Sequence, residues 1–295
     1  MVIAVLVAAH AARAEEPSVT LLSLVDPARS AAQGGTVAGL GGDPGVSWVC
    51  PTAAAGSARP QVTLEGRRGY IEDTTVMALG SFAFHPGQVM SAGVAWYDAG
   101  TTDTPKGRVN AQQDLLLIAN ACSAINAWSS FGTSVKTLRS ELAEEYSTRA
   151  VAFDAGLRLS ARPEFALGAA LENKGSRSVR GGGRTDLASS IRAGFMATTI
   201  LDTGDGRSFG QDGLSWGVDA VFPLEIGRTE WRGGAEYLWH RVVAVRAGAV
   251  RPREGGNWAW SFGFGLLTRR LRFDYASRFN SASATPHALS MTILL

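Results

Sequence analysis

The chain has 295 residues, a formal net charge of +2 and a mean hydropathy close to zero. Only 18% of its residues are charged while 35 are glycine, and a soluble domain of this length usually carries more charge on its surface. The absence of a dense basic patch excludes a nucleic-acid-binding protein, and the absence of any window of about 18 uncharged apolar residues excludes a helical membrane protein.

The N-terminus has the pattern of an export signal. An apolar run from Val2 to Ala9 leads into Ala12-Arg13-Ala14, a small-x-small site of the kind that signal peptidase cleaves. The run is too short to span a bilayer, and no Lys or Arg precedes it. We therefore predict a signal peptide over residues 1–14 and export of the rest of the chain.

The next segment, Ala28 to Gly56, consists almost entirely of small residues and glycine. Its glycines do not follow the G-x-G-x-x-G spacing of a dinucleotide loop, and the Gly-Lys-Ser/Thr of a phosphate loop is absent. Asp43-Pro44-Gly45 indicates a turn and not the start of a helix. The segment therefore does not predict a nucleotide site.

From residue 61 onward the dominant pattern is period-two alternation in segments of about ten residues, separated by turns. In NWAWSFGFGLL, Trp258 and the alternate residues to Leu266 form an apolar aromatic face, while Ala259 and the residues that alternate with it are small. The pattern predicts fourteen strands, near residues 61–70, 73–84, 88–98, 112–122, 127–137, 147–159, 163–172, 185–200, 212–222, 228–239, 240–250, 257–267, 270–279 and 285–295.

The small-residue faces of these strands carry a few charges of both signs. A soluble sandwich would have a polar face rich in Lys, Glu and Thr, whereas Gly, Ala, Ser and paired charges suit the interior of a barrel whose outer face meets lipid. We expect these charges either to line a polar passage or, more simply, to pair across the lumen. The predicted lumen-facing charges are Asp154, Arg158, Glu230, Arg232, Glu236, Arg246, Arg272 and Asp274.

Two segments stand out from the strand pattern. Residues 137–147, TLRSELAEEYS, have the composition of a helix, which we expect to cap a loop between two strands. At the C-terminus, Leu289, Met291, Ile293 and Leu295 alternate up to the last residue. A terminal apolar strand of this kind resembles the signal read by barrel-assembly machinery, although many such strands end in Phe.

The residues give little support for catalysis. Gly213 to Gly217, GLSWG, matches the nucleophile elbow of serine hydrolases, but the stretch continues as an alternating strand where the elbow needs a sharp turn. An esterase that uses Ser215 therefore stays a minor alternative. No histidine has a second ligand at metal-binding spacing, so we predict neither a metal nor a cofactor. Cys50 and Cys122 either pair or remain two separate thiols.

The order of several motifs resembles the PorV/PorQ/UPF0164 outer-membrane proteins, relatives of the FadL fatty-acid transporters. ARSAAQGG, GD and WVCPTA, between Ala28 and Ala53, resemble the family's N-terminal block. WRGGAEYLWHRVVAVRAGAV, FGFGLLTRRLRFDYASRF and HALSMTILL resemble its C-terminal strands. The sequence departs from the pattern at Cys50 and Thr52, where the family usually has Asn and Ala.

The resemblance implies an all-β fold: an antiparallel transmembrane barrel of about fourteen strands, with residues 15–60 as a plug inside it and residues 61–295 as the barrel. Arg29, Asp43 and Trp48 are then the plug's anchoring groups and the candidate gate. The implied location is the bacterial outer membrane, with its lipid as a partner. PorV-type members serve a secretion system, and FadL-type members pass hydrophobic ligands. We expect a non-enzymatic component of the first kind, with a FadL-like channel as the alternative.

Overall fold

The computed structural model describes residues 21–22, 26–57, 59–69, 73–104, 107–143, 146–162, 164–179, 182–201, 212–225, 228–251, 257–279 and 285–295. The predicted signal peptide, residues 1–14, lies outside these ranges. Among the described residues, no helix is both long enough and apolar enough to cross a membrane.

The described chain begins with one short helix and two 3-10 turns and continues as strands. The helix is α1 (Ala28–Ala32), and the turns are Pro44–Val46 and Pro51–Ala54. The strands are β1 (Gln61–Arg68), β2 (Thr74–His85), β3 (Gln88–Asp98), β4 (Thr101–Thr104), β5 (Gly107–Asn110), β6 (Gln112–Asn126), β7 (Ser129–Leu142), β8 (Tyr146–Arg162), β9 (Phe165–Val179), β10 (Arg184–Asp186), β11 (Ser190–Leu201), β12 (Asp212–Pro223), β13 (Glu230–Trp239), β14 (Val243–Arg251), β15 (Ala259–Leu267), β16 (Leu271–Phe279) and β17 (His287–Leu294).

Fourteen of these strands close into one antiparallel barrel, as the alternation predicted. Each pairs with the next barrel strand in the chain, β17 returns to β1, and the pairing of β8 with β9 completes the circle. Strands β4 and β5 form a separate hairpin, and β10 extends the sheet by pairing with Ser176–Ser178 of β9. Closure leaves the barrel without the unpaired sheet edge that a lipid environment does not tolerate.

Side chains along the barrel strands alternate between lipid and lumen. Trp260, Phe262 and Phe264 of β15 are at least half exposed on the outer face, whereas Ser261 is buried inside. On the outside of β9, β11 and β12, the ring of Phe195 stacks on that of Phe165 and meets that of Trp216 in a T-shaped arrangement. The outward apolar face and the inward small-residue face therefore lie where the sequence predicted them.

The two ends of the barrel differ in how the strands are joined. At one end, here called the turn end, β1 begins, β17 ends, and short turns join β2 to β3, β6 to β7 and β8 to β9. The hairpin β4–β5 and the segment containing β10 lie at the other, the loop end. In bacterial outer-membrane barrels the short turns face the periplasm and the longer loops face outward.

The predicted helix over residues 137–147 is wrong. Strand β7 continues to Leu142, Ala143 turns the chain with a positive φ of 49°, and β8 begins at Tyr146. The upper part of β7 pairs with β6 on one side and β8 on the other. Hydrogen bonds to two neighbouring strands outweigh the few tenths of a kcal/mol per residue by which Leu, Glu and Ala favour a helix.

Residues 26–57 fold inside the barrel as the plug that the resemblance implied. Most of their side chains are buried, and α1 contacts the inner faces of β14, β15, β16 and β17. The 3-10 turn Pro51–Ala54 contacts β6, β7 and β8 on the other side of the lumen. The name plug is used below for residues 26–57.

Candidate functional site

The plug crosses the lumen and returns, which its glycines allow. Gly34 and Gly35 follow α1 with φ values of 68° and 79°, a backbone conformation that lets the chain leave the helix sharply. The Gly35 amide donates to the Ser30 carbonyl at 2.7 Å, so the turn is closed on itself. Asp43 accepts from the Gly45 amide and caps the 3-10 turn that precedes Trp48.

Glycines of the barrel wall lie where the plug backbone touches the wall. A Cβ at Gly132 would lie 2.5 Å from the Pro51 carbonyl oxygen, and one at Gly93 would lie 2.7 Å from the Trp48 ring. A Cβ at Gly168 or Gly234 would collide with the plug backbone itself. The inward glycines that meet the plug in this way are Gly93, Gly132, Gly156, Gly168, Gly234, Gly248 and Gly263. These seven wall glycines therefore mark the path of the plug.

Three arginines and three carboxylates form a closed ring of ion pairs between plug and wall, here called the charge ring. Its members are Arg29 and Asp43 of the plug with Glu236, Arg246, Asp274 and Arg272 of the wall. Arg29 contacts Asp43 at 2.9 Å and Glu236 at 2.8 Å.

The ring closes through the wall. Arg246 contacts Glu236 at 2.5 Å and Asp274 at 2.8 Å. Arg272 contacts Asp274 at 2.9 Å and Asp43 at 2.9 Å. Charges alternate around the ring and sum to zero, so each charge lies between two opposite ones. Six of the eleven residues that the sequence singled out as plug anchors or lumen charges therefore meet in one cluster.

The ring holds its plug members in their charged forms. Burial raises the pKa of the Asp43 carboxyl, but the Arg272 and Arg29 guanidiniums outweigh it and hold that pKa below its usual range. Burial likewise lowers the pKa of Arg29, while Glu236 and Asp43 raise it further than burial lowers it. The side chain of Asp43 is 0% exposed, so its charge is stabilised mainly by these two arginines and not by water.

A second cluster, which the sequence reasoning missed, fixes the next stretch of the plug. Arg192 contacts Glu172 at 2.5 Å and Asp219 at 3.2 Å, and donates to the Gly35 carbonyl at 2.9 Å. Asp219 accepts from the Val37 and Ala38 amides at 2.8 and 3.0 Å. Period-two alternation along β11 and β12 was the available signal, because it places Arg192 and Asp219 on the lumen side.

The other predicted lumen charges lie inside the barrel but outside the ring. Asp154 pairs with Lys136 at 2.7 Å, and Arg232 pairs with Glu230 at 2.5 Å. Arg158 donates to the Gly39 carbonyl at 3.0 Å and so also contacts the plug.

A cavity of about 340 Å³ lies between the plug and the loop-end half of the wall. Leu22, Trp48, Val49 and Val221 supply its apolar lining. Its charged lining residues are Asp26, Arg67, Lys136, Glu172, Arg192, Glu230, Arg232 and Arg278. Most of these are paired, as in Arg278 with Asp26 at 3.1 Å. The cavity falls near the lower end of the range of small-molecule sites, about 300–1,000 Å³.

The two departures from the family pattern contact each other. The Cys50 sulfur lies 3.3 Å from the Thr52 hydroxyl oxygen, and both side chains are buried in the plug. Cys50 and Cys122 are both free thiols, so the two do not pair. Burial raises the pKa of the Cys50 thiol, which makes it a poor nucleophile in the folded protein.

Ser215 lies within the regular strand β12 and not at a turn. Its hydroxyl oxygen lies 3.0 Å from that of Thr198 on the adjacent strand β11. A nucleophile elbow requires a strand-to-helix turn, which this segment does not form. Within the described ranges, no group of three or more His, Cys, Asp or Glu side chains could hold a metal ion.

Acid is expected to loosen the plug. Asp43 and Asp26 have folded-state pKa values below the unfolded value of about 3.9, so their stabilisation is present above that pH and is lost as the pH falls through the folded values. The melting temperature should therefore fall between about pH 5 and pH 2. Asp43→Asn should flatten this dependence, and an equally steep profile in that variant would contradict the assignment.

No known protein family and no curated protein matches the sequence. Solved structures do match. The Pseudomonas putida toluene transporter TodX is 13% identical with a TM-score of 0.58, over 90% of this chain and 96% of TodX. The fold is that of a FadL-type outer-membrane barrel. The CymD monoaromatic hydrocarbon channel is 12% identical with a TM-score of 0.60, over 93% of this chain and 98% of CymD. A Pseudomonas aeruginosa FadL homologue is 11% identical with a TM-score of 0.58, over 90% and 98%.

Proposed function

We propose that the protein is an outer-membrane channel for small hydrophobic molecules. The cavity between Trp48 of the plug and the loop-end half of the wall is the observation that carries this proposal. It lies on the side from which a molecule outside the cell would enter, given the usual orientation of such barrels. TodX and CymD, which share the fold, are named as a toluene transporter and a monoaromatic hydrocarbon channel.

The charges around the cavity do not contradict an apolar ligand. Arg192 pairs with Glu172, Arg232 with Glu230 and Arg278 with Asp26, so these side chains neutralise one another. An apolar molecule in the cavity therefore does not strip water from isolated charges, which would be costly. Trp48, Leu22 and Val49 offer it an apolar surface, on which an aromatic ring gains both burial and favourable ring packing.

Filling the cavity is expected to weaken binding. Ala188 lines the cavity from the loop end and is exposed, so Ala188→Trp should occupy its space without disturbing the barrel. We expect toluene binding to purified protein, measured by calorimetry, to weaken at least about tenfold, the equivalent of 1.4 kcal/mol. Thr102→Trp, on the exposed hairpin β4–β5 away from the cavity, is the matched control. Equal toluene binding by Ala188→Trp and Thr102→Trp would contradict the proposal.

A secretion role of the PorV type is the second candidate. The charged and plugged lumen favours it, because a docking component needs no open passage. The short turns and the small hairpin β4–β5 argue against it, because they offer little surface for a large cargo protein. Co-purification of secreted proteins with wild-type protein that binds no hydrocarbon would favour this role over the channel.

A further inference from the structure

Three arginines form a row on the lipid-facing side of the barrel near its loop end. Arg139 of β7 lies directly opposite Arg149 of β8 in the strand register. Arg149 lies opposite Ser178 of β9, and Ser178 lies opposite Arg184 of β10. All four side chains are exposed. The name arginine row is used below for Arg139, Arg149 and Arg184.

The row is electrostatically unfavourable by itself. Like charges directly opposite each other on neighbouring antiparallel strands destabilise the pair. Arg139 contacts Glu141 at 2.5 Å, and Arg184 donates to the Ser176 hydroxyl at 2.6 Å. No carboxylate of the described residues lies within 4 Å of Arg149, at the centre of the row. An anion between Arg139 and Arg149 would remove the repulsion.

The row lies at the border between the apolar band and the loop end. Toward the turn end, the next outward residues of β8 are Val151, Phe153 and, beyond Ala155, Leu157, which are 42%, 53% and 40% exposed. These side chains face the acyl chains of the membrane, so the row lies at the level of the lipid headgroups. Neighbouring strands are about 4.8 Å apart, which puts the backbone of Arg149 about 10 Å from that of Arg184.

We propose that the arginine row binds phosphate groups on the headgroup of an outer-leaflet membrane lipid. The planar guanidinium presents paired N–H donors that match phosphate oxygens, and such charge-assisted bonds are stronger than neutral ones. One phosphate can accept from Arg139 and Arg149 together, and a second from Arg184. The position beside Val151 and Phe153 favours a lipid over free phosphate, because only a lipid also contacts that apolar surface.

This site is independent of the proposed channel, since it lies on the opposite face of the wall from the lumen. It predicts that the row contributes to stability only when a phosphorylated lipid is present. In detergent without such lipid, replacement of the arginines by glutamine should leave the melting temperature unchanged or raise it, because it removes the repulsion. A merely structural role for the arginines would lower it.

The test is native mass spectrometry of the purified protein with diphosphorylated lipid A as the probe. The triple variant R139Q/R149Q/R184Q should bind at least about tenfold more weakly, the equivalent of 1.4 kcal/mol. A variant with R162Q/R269Q/R270Q, exposed arginines at the turn end, is the control and should bind as the wild type does. The wild type should bind dephosphorylated lipid A no more tightly than the triple variant binds diphosphorylated lipid A.

Three results would overturn the proposal. The triple variant could bind lipid A as well as the wild type, or the wild type could bind the dephosphorylated lipid equally well. The third is that millimolar inorganic phosphate raises the melting temperature as much as lipid A does, which would assign the row to free phosphate.

Discussion

Asp43→Ala is expected to release the plug from the barrel wall. The substitution removes the carboxylate that joins Arg29 to Arg272, and both largely buried guanidiniums then have one partner fewer. Loss of one partner from a buried ion pair costs about 3–5 kcal/mol, and we expect the lower value here because Arg29 keeps Glu236 and Arg272 keeps Asp274. The wall strands keep their own hydrogen bonds, so the barrel itself should survive.

The reactivity of the native Cys50 thiol measures this release. Cys50 is buried in the plug and should resist maleimide in the folded wild type, measured in a Cys122→Ala background. In Asp43→Ala it should react at least about a hundredfold faster, since 3 kcal/mol corresponds to more than two factors of ten in the open population. Asp154→Asn is the control, because it breaks a buried pair within the wall. Unreactive Cys50 in Asp43→Ala would show that the charge ring does not hold the plug.

Gly234→Val should displace the plug, while Gly233→Val should be tolerated. The two glycines are neighbours in β13 and face opposite sides of the wall. A Cβ at Gly234 would collide with the backbone of Gln33, whereas a Cβ at Gly233 meets nothing within 4 Å. Overpacking costs about 1–3 kcal/mol or more when the neighbour is backbone. A β-branched residue on the lipid face fits a strand better than glycine does.

Limited proteolysis distinguishes these outcomes. Gly234→Val should make the plug accessible to trypsin at Arg29 while the boiled and unboiled forms still migrate differently on a gel. Gly233→Val should match the wild type in both respects. If Gly234→Val also leaves the plug protected, the wall glycines do not mark its path.

Most of the barrel could be predicted from the sequence because alternation is a local property. Trp260 is apolar and Ser261 is small and polar, so the residue types themselves indicate which side chain faces lipid and which faces the lumen. The same period of two repeats in every strand. The helix predicted over residues 137–147 was wrong because that prediction used only the local composition. The structure of this segment is decided by the pairing of β7 with β6 and β8, which the local composition does not reveal.

The partners within the lumen could not be predicted, since they depend on distances between strands. Asp154 and Arg158 are both on β8 and both face inward, but four residues of a strand span about 13 Å, so they cannot touch. Lys136 on β7 lies diagonally opposite Asp154 and pairs with it instead. The charge ring is even harder to predict from the sequence, because it depends on how the plug folds back to bring Asp43 to Arg29.

The measurement that tests the proposed channel most directly is uptake of radiolabelled toluene by cells that produce this protein and lack other hydrocarbon channels. We predict faster uptake than in cells without the protein, and its loss in Ala188→Trp but not in Thr102→Trp. Uptake equal to that of cells without the protein, with the barrel correctly folded in the outer membrane, would contradict the channel.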